Sequence, residues 1–140
     1  MCQIGDLIRI ESYIGDDGVM VARHTFVVLS TEGDKIRGLS FDLVASPMSS
    51  IKSEEQRKKI ERDDGLMIIR TNDQNGMPAS KYEESFIKAK LLYYFDKSSI
   101  DYKVLGALNV ETFMELQKKL NELGESNNLT QVLTNIESVA

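Results

Sequence analysis

The run from Ala22 to Ser30 constrains the fold more than any other stretch. It reads Ala-Arg-His-Thr-Phe-Val-Val-Leu-Ser, and apolar side chains occupy both alternating sets of positions. Because side chains alternate between the two faces of a strand, this pattern predicts a strand that is buried on both faces. Arg23 and His24, the one histidine of the chain, stand near its start. The sequence therefore places two polar residues that are candidates for a functional site at the start of a core strand.

Composition narrows the class of protein. The chain has 140 residues and is 41% hydrophobic, without an apolar run of membrane-spanning length, so we expect one soluble, cytoplasmic domain and no membrane partner. A single cysteine, Cys2, excludes an internal disulfide. With one histidine as well, a zinc site is improbable, and we expect no metal or cofactor. The net charge of −5 argues against unselective nucleic-acid binding but leaves room for a local basic groove.

Alternation of apolar and polar residues predicts a mainly β fold. The predicted strands are Leu7–Ile10, Val21–Leu29, Arg37–Ala45, Leu66–Ile69, Phe86–Phe95 and Tyr102–Leu108. Pro47 is expected to end the third strand, because proline cannot donate to a strand ladder. Residues 71–81, which contain Asn75-Gly76 and Pro78, are expected to form a loop.

Three segments carry helical signals. Ser53-Glu54-Glu55-Gln56 has the form of a capping box. Asn109 is expected to cap a longer amphipathic helix that stops at Gly124. A helical spacing of Leu129, Val132, Leu133 and Ile136 predicts a short extra helix. We therefore predict a domain over residues 1–124, a small antiparallel β-barrel with a helix packed on it, and a short helical tail over residues 125–140.

Three short stretches resemble the MazF/PemK toxins of bacterial toxin–antitoxin systems. They are Gly5-Asp6-Leu7-Ile8, the run Ala22–Ser30, which is similar to the family's Arg-Pro-x-Val-Val-x-Ser strand, and Phe41–Ser46. The later strands and the helix follow in matching order. His24 stands where the family usually has proline, and the segment after Pro47 and the tail after Gly124 look like additions, which suggests a divergent, PemK-like branch.

The resemblance implies an SH3-like barrel and a metal-independent endoribonuclease that cuts single-stranded RNA at short sequences. In that reaction the ribose 2′-hydroxyl attacks the adjacent phosphate and leaves a cyclic phosphate. It also implies a homodimer that an antitoxin protein inhibits. These properties come from the family alone, because a fold class does not determine an activity.

Arg23 is the first catalytic candidate, because a fixed guanidinium binds the extra negative charge of a phosphorane, and it matches the family's catalytic arginine. A rim arginine paired with Asp16 or Asp17 is the structural alternative. Ser46 matches the family's hydroxyl position, although a serine that ends a strand needs no function. Ser49 and Ser50 lie close enough in the sequence to be mistaken for it.

His24 and Thr25 are secondary catalytic candidates. The ordinary pKa of histidine suits acid–base chemistry near neutrality. On a regular strand, however, His24 points away from Arg23 and Thr25, so a structural or interface role is favoured.

Lys88, Lys90 and Tyr94 are candidates for RNA binding, because they lie on one face of the predicted strand Phe86–Phe95 and combine cations with an aromatic ring. The solvated face of an edge strand explains the same pattern and is favoured.

Two other classes of function stay open. A non-catalytic PemK-like barrel that binds a protein, such as an antitoxin-like partner or a gyrase-like target, fits the acidic charge and the departure at His24. A housekeeping barrel that binds RNA or protein is the third reading. A small antitoxin-like reading frame beside the gene would favour the toxin classes over this one.

Overall fold

A computed structural model describes residues 1–70, 73–75 and 84–136. The strands are β1 Asp6–Ile14, β2 Met20–Ser30, β3 Asp34–Ile36, β4 Leu39–Phe41, β5 Leu43–Ser50, β6 Met67–Arg70, β7 Gln74–Asn75, β8 Glu84–Ile87, β9 Leu91–Phe95, β10 Tyr102–Leu108 and β11 Thr130–Val132. The α-helices are α1 Glu54–Glu61 and α2 Val110–Glu125, and Lys97–Ser99 forms a 3₁₀ turn. The prediction of a mainly β fold with helices is confirmed.

Nine strands form one sheet. Its main path runs β11-β9-β5-β2-β1-β10-β7, and β8 joins β5 to β6. Pairing is antiparallel except between β11 and β9. Among the described residues no ladder joins the two ends of this path, so the sheet is open there and a closed barrel is not seen. Most of the predicted loop over residues 71–81 lies outside the described residues, and its part Gln74–Asn75 pairs with β10.

Both faces of β2 are buried at its centre, as its sequence predicts, whereas Ala22 and Arg23 near its start are exposed. Phe26, Val27 and Val28 are completely buried. Phe26 and Val28 belong to a cluster that we call the aromatic cluster, whose rings come from Tyr13, Phe26, Tyr93 and Phe95. Val27 belongs to the helix-side cluster, in which it packs with Leu116 and Leu123 of α2. The N-cap half of the predicted capping box forms, because Ser53 Oγ accepts a hydrogen bond from the Gln56 backbone N–H at 3.1 Å. The Gln56 side chain accepts from Lys52 N, one residue before the cap, at 2.7 Å.

The prediction that Pro47 ends a strand is wrong. β5 runs through Pro47 to Ser50. A residue's N–H and C=O point to the same side of a strand, and the Pro47 carbonyl accepts from Lys88 N at 2.8 Å. On that side β5 pairs with β9 up to Ala45 and with β8 from Met48 onward. The missing N–H therefore falls where the partner strand changes.

Two predicted strands are interrupted by turns. Arg37–Ala45 contains a hairpin turn at Arg37 and Gly38, whose φ angles of 51° and 80° are those of a two-residue type I′ turn. Phe86–Phe95 is broken between β8 and β9, because residues 88–90 leave the ladder and Leu91 N bonds Lys88 O at 2.9 Å. Apolar alternation continues across both turns, so the sequence pattern alone does not reveal them.

The predicted tail helix is also wrong for the part of the tail that the structure describes. Thr130–Val132 form β11, which pairs with β9. Val132 packs in the aromatic cluster and the next residue, Leu133, in a separate cluster with Tyr94, as side chains of an extended segment do. An isolated helix this short is marginal, whereas the edge of β9 offers unpaired backbone groups. Residues 137–140 lie outside the described residues.

Candidate functional site

Strand register brings His24 opposite Ser49. β2 and β5 are antiparallel with Thr25 facing Met48, so the next position along places His24 against Ser49. His24 Nε2 lies 3.3 Å from Ser49 Oγ. Both residues are half-buried. An imidazole and a hydroxyl therefore meet where solvent is partly excluded, and electrostatic interactions are stronger in such a place than in water.

The positive charge of Lys88 acts on the His24 imidazole. The turn after β8 holds its backbone, since Lys88 N donates to the Pro47 carbonyl. Its ammonium lies 6.0 Å from the centre of the Phe86 ring. We call His24, Ser49 and Lys88 the imidazole cluster. Each of its members comes from a different one of three neighbouring segments of the sheet.

The pKa of His24 is lowered from its ordinary value of 6.5. Burial is the main cause and the positive charge of Lys88 is the second, while a hydrogen bond with the Met48 backbone opposes both. The neutral form of the imidazole is consequently favoured. A neutral imidazole has one unprotonated ring nitrogen that can accept a proton, which is the requirement for a general base.

Aromatic rings line one side of the imidazole cluster. The Tyr13 and Phe26 rings lie 6.1 Å and 6.0 Å from the His24 ring. Burial, followed by the charges of Tyr93, Asp16 and Asp17, raises the pKa of Tyr13 to about 12. Tyr13 therefore stays protonated at neutral pH and supplies the imidazole with an uncharged, largely apolar neighbour.

A local break in strand alternation lets Tyr13 reach His24. Unbroken alternation would place Ile10 and Tyr13 on opposite faces of β1, and Val21 and Phe26 on opposite faces of β2. All four pack in or against the aromatic cluster. The break coincides with Arg23, whose φ of 21° is unusual for a residue with a side chain. The sequence prediction assumed a regular strand at this position.

Arg23 belongs to a second polar group. Its Nε lies 2.8 Å from Glu11 Oε2, and Arg9 Nε lies 3.2 Å from the other oxygen of the same carboxylate. The partner is thus Glu11, and not the Asp16 or Asp17 that the sequence suggested. The Arg23 side chain is 70% exposed. Water and a bound carboxylate both weaken the field of this guanidinium, so it is less suited than Lys88 to a partly dry reaction site.

The other predicted site residues lie in varied surroundings. Thr25 is half-buried and pairs with Arg9 on one side and Met48 on the other. Ser46 is completely buried, and its hydroxyl donates to the Leu91 carbonyl at 2.8 Å. That bond ties β5 to the start of β9, and it occupies the only proton that the hydroxyl can donate.

The three predicted RNA-binding residues do not share the face of one strand, because the strand is broken. Lys90 Nζ lies 2.6 Å from Asp63 Oδ2. Tyr94 is 8% exposed and packs edge-on against Phe41, with Gln131 donating to its hydroxyl. In this arrangement the Tyr94 ring is not open to a stacked base. Lys88 alone of the three joins the imidazole cluster.

Sequence reasoning missed Ser49 and Glu11 as functional candidates. The sequence marks Ser49 only as a serine close to Ser46, and it predicts that the strand ends before Ser49, at Pro47. A strand that continues through Pro47 places Ser49 two positions further on, and the β2 register then aligns it with His24. No sequence signal distinguishes Glu11 from other carboxylates, since its role depends on the pairing of β1 with β2.

Metal ligands and membrane spans were searched among the described residues. No group of three or more His, Cys, Asp or Glu side chains there is arranged to hold a metal ion. In the same residues, no helix combines the length and apolar character needed to cross a bilayer. No known family model matches the chain, and no curated protein matches it.

Proposed function

We propose that this protein is a metal-independent endoribonuclease that cuts single-stranded RNA, as its resemblance to the MazF/PemK toxins suggests. One observation carries the proposal: the half-buried imidazole of His24, whose pKa is lowered by burial and by the charge of Lys88, contacts the Ser49 hydroxyl. Cleavage by the 2′-hydroxyl needs a proton acceptor and a cation for the phosphorane, and these residues provide both.

In the proposed mechanism His24 takes the proton of the ribose 2′-hydroxyl. The 2′-oxygen then forms a bond to phosphorus while the bond from phosphorus to the 5′-oxygen breaks. The leaving 5′-oxygen takes a proton from water and the protonated His24 returns its proton to solvent, so that the products are a 2′,3′-cyclic phosphate and a 5′-hydroxyl. Lys88 offsets the negative charge that accumulates on the phosphate, and Ser49 orients the imidazole or the phosphate by hydrogen bonding.

The roles of Arg23 and Ser46 differ from the sequence prediction in this proposal. Arg23 binds a flanking phosphate of the RNA, because its guanidinium is exposed and already anchored by Glu11. Ser46 keeps a structural role, since its hydroxyl is buried and bonded to Leu91. The SH3-like barrel, the homodimer, the antitoxin partner and the cytoplasmic location also remain proposals, and the family resemblance supports each of them.

A second candidate function is binding to a protein without catalysis. A groove of about 500 Å³ runs between α2 and the sheet. Its apolar lining consists of Leu29, Val44, Leu92, Leu120 and Leu129. Apolar grooves beside a helix are common sites for peptide segments, and the net charge of −5 suits a protein partner better than RNA.

Mapping of RNA 5′ ends in cells separates the two candidates. The wild type, His24→Ala and Leu120→Asp would be expressed in turn. New 5′ ends that appear with the wild type and disappear with His24→Ala support the nuclease. Growth arrest that persists with His24→Ala but not with Leu120→Asp, without new RNA ends, supports binding to a protein through the groove.

A further inference from the structure

The described C-terminal segment, residues 129–136, touches the backbone on both sides of the imidazole cluster. At one end, Thr130 N donates to the Lys90 carbonyl at 2.8 Å, within the turn that begins at Lys88. At the other end, the Asn135 side chain binds Ile14, the neighbour of Tyr13 in β1. The strand β11 connects these two contacts along the edge of β9.

Asn135 makes a two-point contact with one residue. Its Oδ1 accepts from Ile14 N at 2.8 Å, and its Nδ2 donates to Ile14 O at 3.0 Å. A side-chain amide that satisfies both backbone groups replaces the partner that an edge residue lacks. The contact spans 121 positions of sequence. It therefore fixes the end of β1 relative to the tail, and Tyr13 is part of that strand end.

Packing links the same segment to the surroundings of His24. Val132 is 5% exposed and belongs to the aromatic cluster, together with Tyr13 and Phe26. These are the two rings that lie beside the imidazole. Displacement of the tail would uncover the aromatic cluster and admit water to the wall of the imidazole cluster.

We infer that residues 129–136 support the proposed active site structurally, and that Asn135 is a positioning residue that holds Tyr13 next to His24. The tail thus contributes to the site and is not a separate addition to the domain. The inference rests on the proposed function for its catalytic meaning. Its structural content, the coupling of Asn135 to the environment of His24, is measurable whether or not the protein cuts RNA.

Few charged or titratable groups act on His24, so a shift in its pKa can be assigned to a single cause. Lys88 faces it from the turn after β8, and Tyr13 faces it from β1. Asp16 and Asp17 act on Tyr13. None of these is substituted when Asn135 is changed. A change in the titration of His24 would then report on its burial.

The test is NMR titration of the ring of His24, whose signals are unambiguous because the chain has one histidine. We expect Asn135→Ala to move the midpoint upward, toward 6.5, as water reaches the imidazole. The matched control is Gln131→Ala, an amide on the same tail that bonds Tyr94 and not β1. It should leave the midpoint where the wild type has it.

Cleavage of a single-stranded RNA by the same variants gives the second readout. Asn135→Ala should lower kcat roughly tenfold with little change in KM, since a misplaced base affects the reaction more than binding. An unshifted midpoint in a folded Asn135→Ala variant, or an equal shift in Gln131→Ala, would overturn the inference. If Asn135→Ala does not fold, Asn135→Gln, an uncharged variant whose longer side chain places the amide differently against Ile14, is judged by the same titration and should also move the midpoint upward. If the wild type does not cut RNA, the proposed function fails and the titration still decides the inference.

Discussion

His24 and Ser49 face each other across β2 and β5, with Nε2 3.3 Å from Oγ. The contact joins a residue from the start of the core strand to one that lies beyond a proline in the next long strand. Lys88 adds a positive charge that helps to keep the imidazole neutral. The combination differs from the pair Arg23 and Ser46 that the sequence favoured, and it leads to distinct predictions for each residue.

The first prediction separates the two serines. Ser46→Ala removes a completely buried hydroxyl that donates to the Leu91 carbonyl, which should cost about 1–3 kcal/mol of unfolding free energy. Cleavage below the melting temperature should persist. Ser49→Ala should show the reverse, a lower cleavage rate with little loss of stability. Urea unfolding and single-turnover cleavage of both variants check this, and a loss of cleavage in Ser46→Ala alone would favour the original assignment.

The second prediction concerns Lys88. Lys88→Gln removes a positive charge that disfavours the protonated imidazole, so the pKa of His24 should rise. Cleavage should slow as well, because the phosphorane loses its cation. Lys90→Gln is a suitable control, since Lys90 is paired with Asp63. Equal titration of His24 in the wild type and Lys88→Gln would show that Lys88 does not act on the imidazole.

The third prediction is a pH dependence of stability. The pKa of His24 is lower in the folded chain than its ordinary value of 6.5, so the unfolded chain binds the proton first as the pH falls. The stability that His24 contributes is therefore complete above pH 6.5 and is lost as the pH falls toward the folded pKa. Urea unfolding between pH 7.5 and about 5 should show this decline. His24→Gln should have a flatter profile, and parallel profiles would contradict the lowered pKa.

The fourth prediction concerns Arg23. If this exposed guanidinium binds a flanking phosphate, Arg23→Gln should raise KM and leave kcat nearly unchanged. The slope of log affinity against log salt should become shallower by about 0.7, the contribution of one contact to single-stranded RNA. Steady-state kinetics at several salt concentrations measure both effects. A large fall in kcat at an unchanged KM would instead place Arg23 at the reacting phosphate.

Much of the fold follows from local sequence pattern. The apolar residues on both sets of positions in Ala22–Ser30 predict a strand buried on both faces, and the Ser53–Gln56 capping box predicts the start of α1. Both depend on neighbouring residues alone. The break between β8 and β9 and the course of the tail depend on which strand edge is available. The pattern of apolar residues does not show which strand edges are available for pairing. The helical spacing of the tail residues was misleading because part of the tail pairs with the edge of β9.

The candidate site was harder to predict because the register between β2 and β5 brings His24 and Ser49 together. His24 was recognised, and its neighbour Ser49 was mentioned only as a serine close to Ser46. Their contact requires β5 to continue through Pro47, which in turn requires a change of partner strand at that residue. The assignment of Lys88 to RNA binding rested on a continuous strand, although Lys88 lies in a turn. Pairing between distant strands thus determines which residues meet in the site, whereas local sequence pattern determines several of the strands and helices.

The most direct test of the central claim is cleavage of a defined single-stranded RNA in EDTA, with the wild type and His24→Ala compared under single-turnover conditions. The account predicts products that end in a 2′,3′-cyclic phosphate and a 5′-hydroxyl, and a rate roughly 10²–10⁴-fold lower for His24→Ala. Circular dichroism of both proteins would establish that they are equally folded. Equal rates for the two proteins, or RNA left intact by the wild type, would contradict the account.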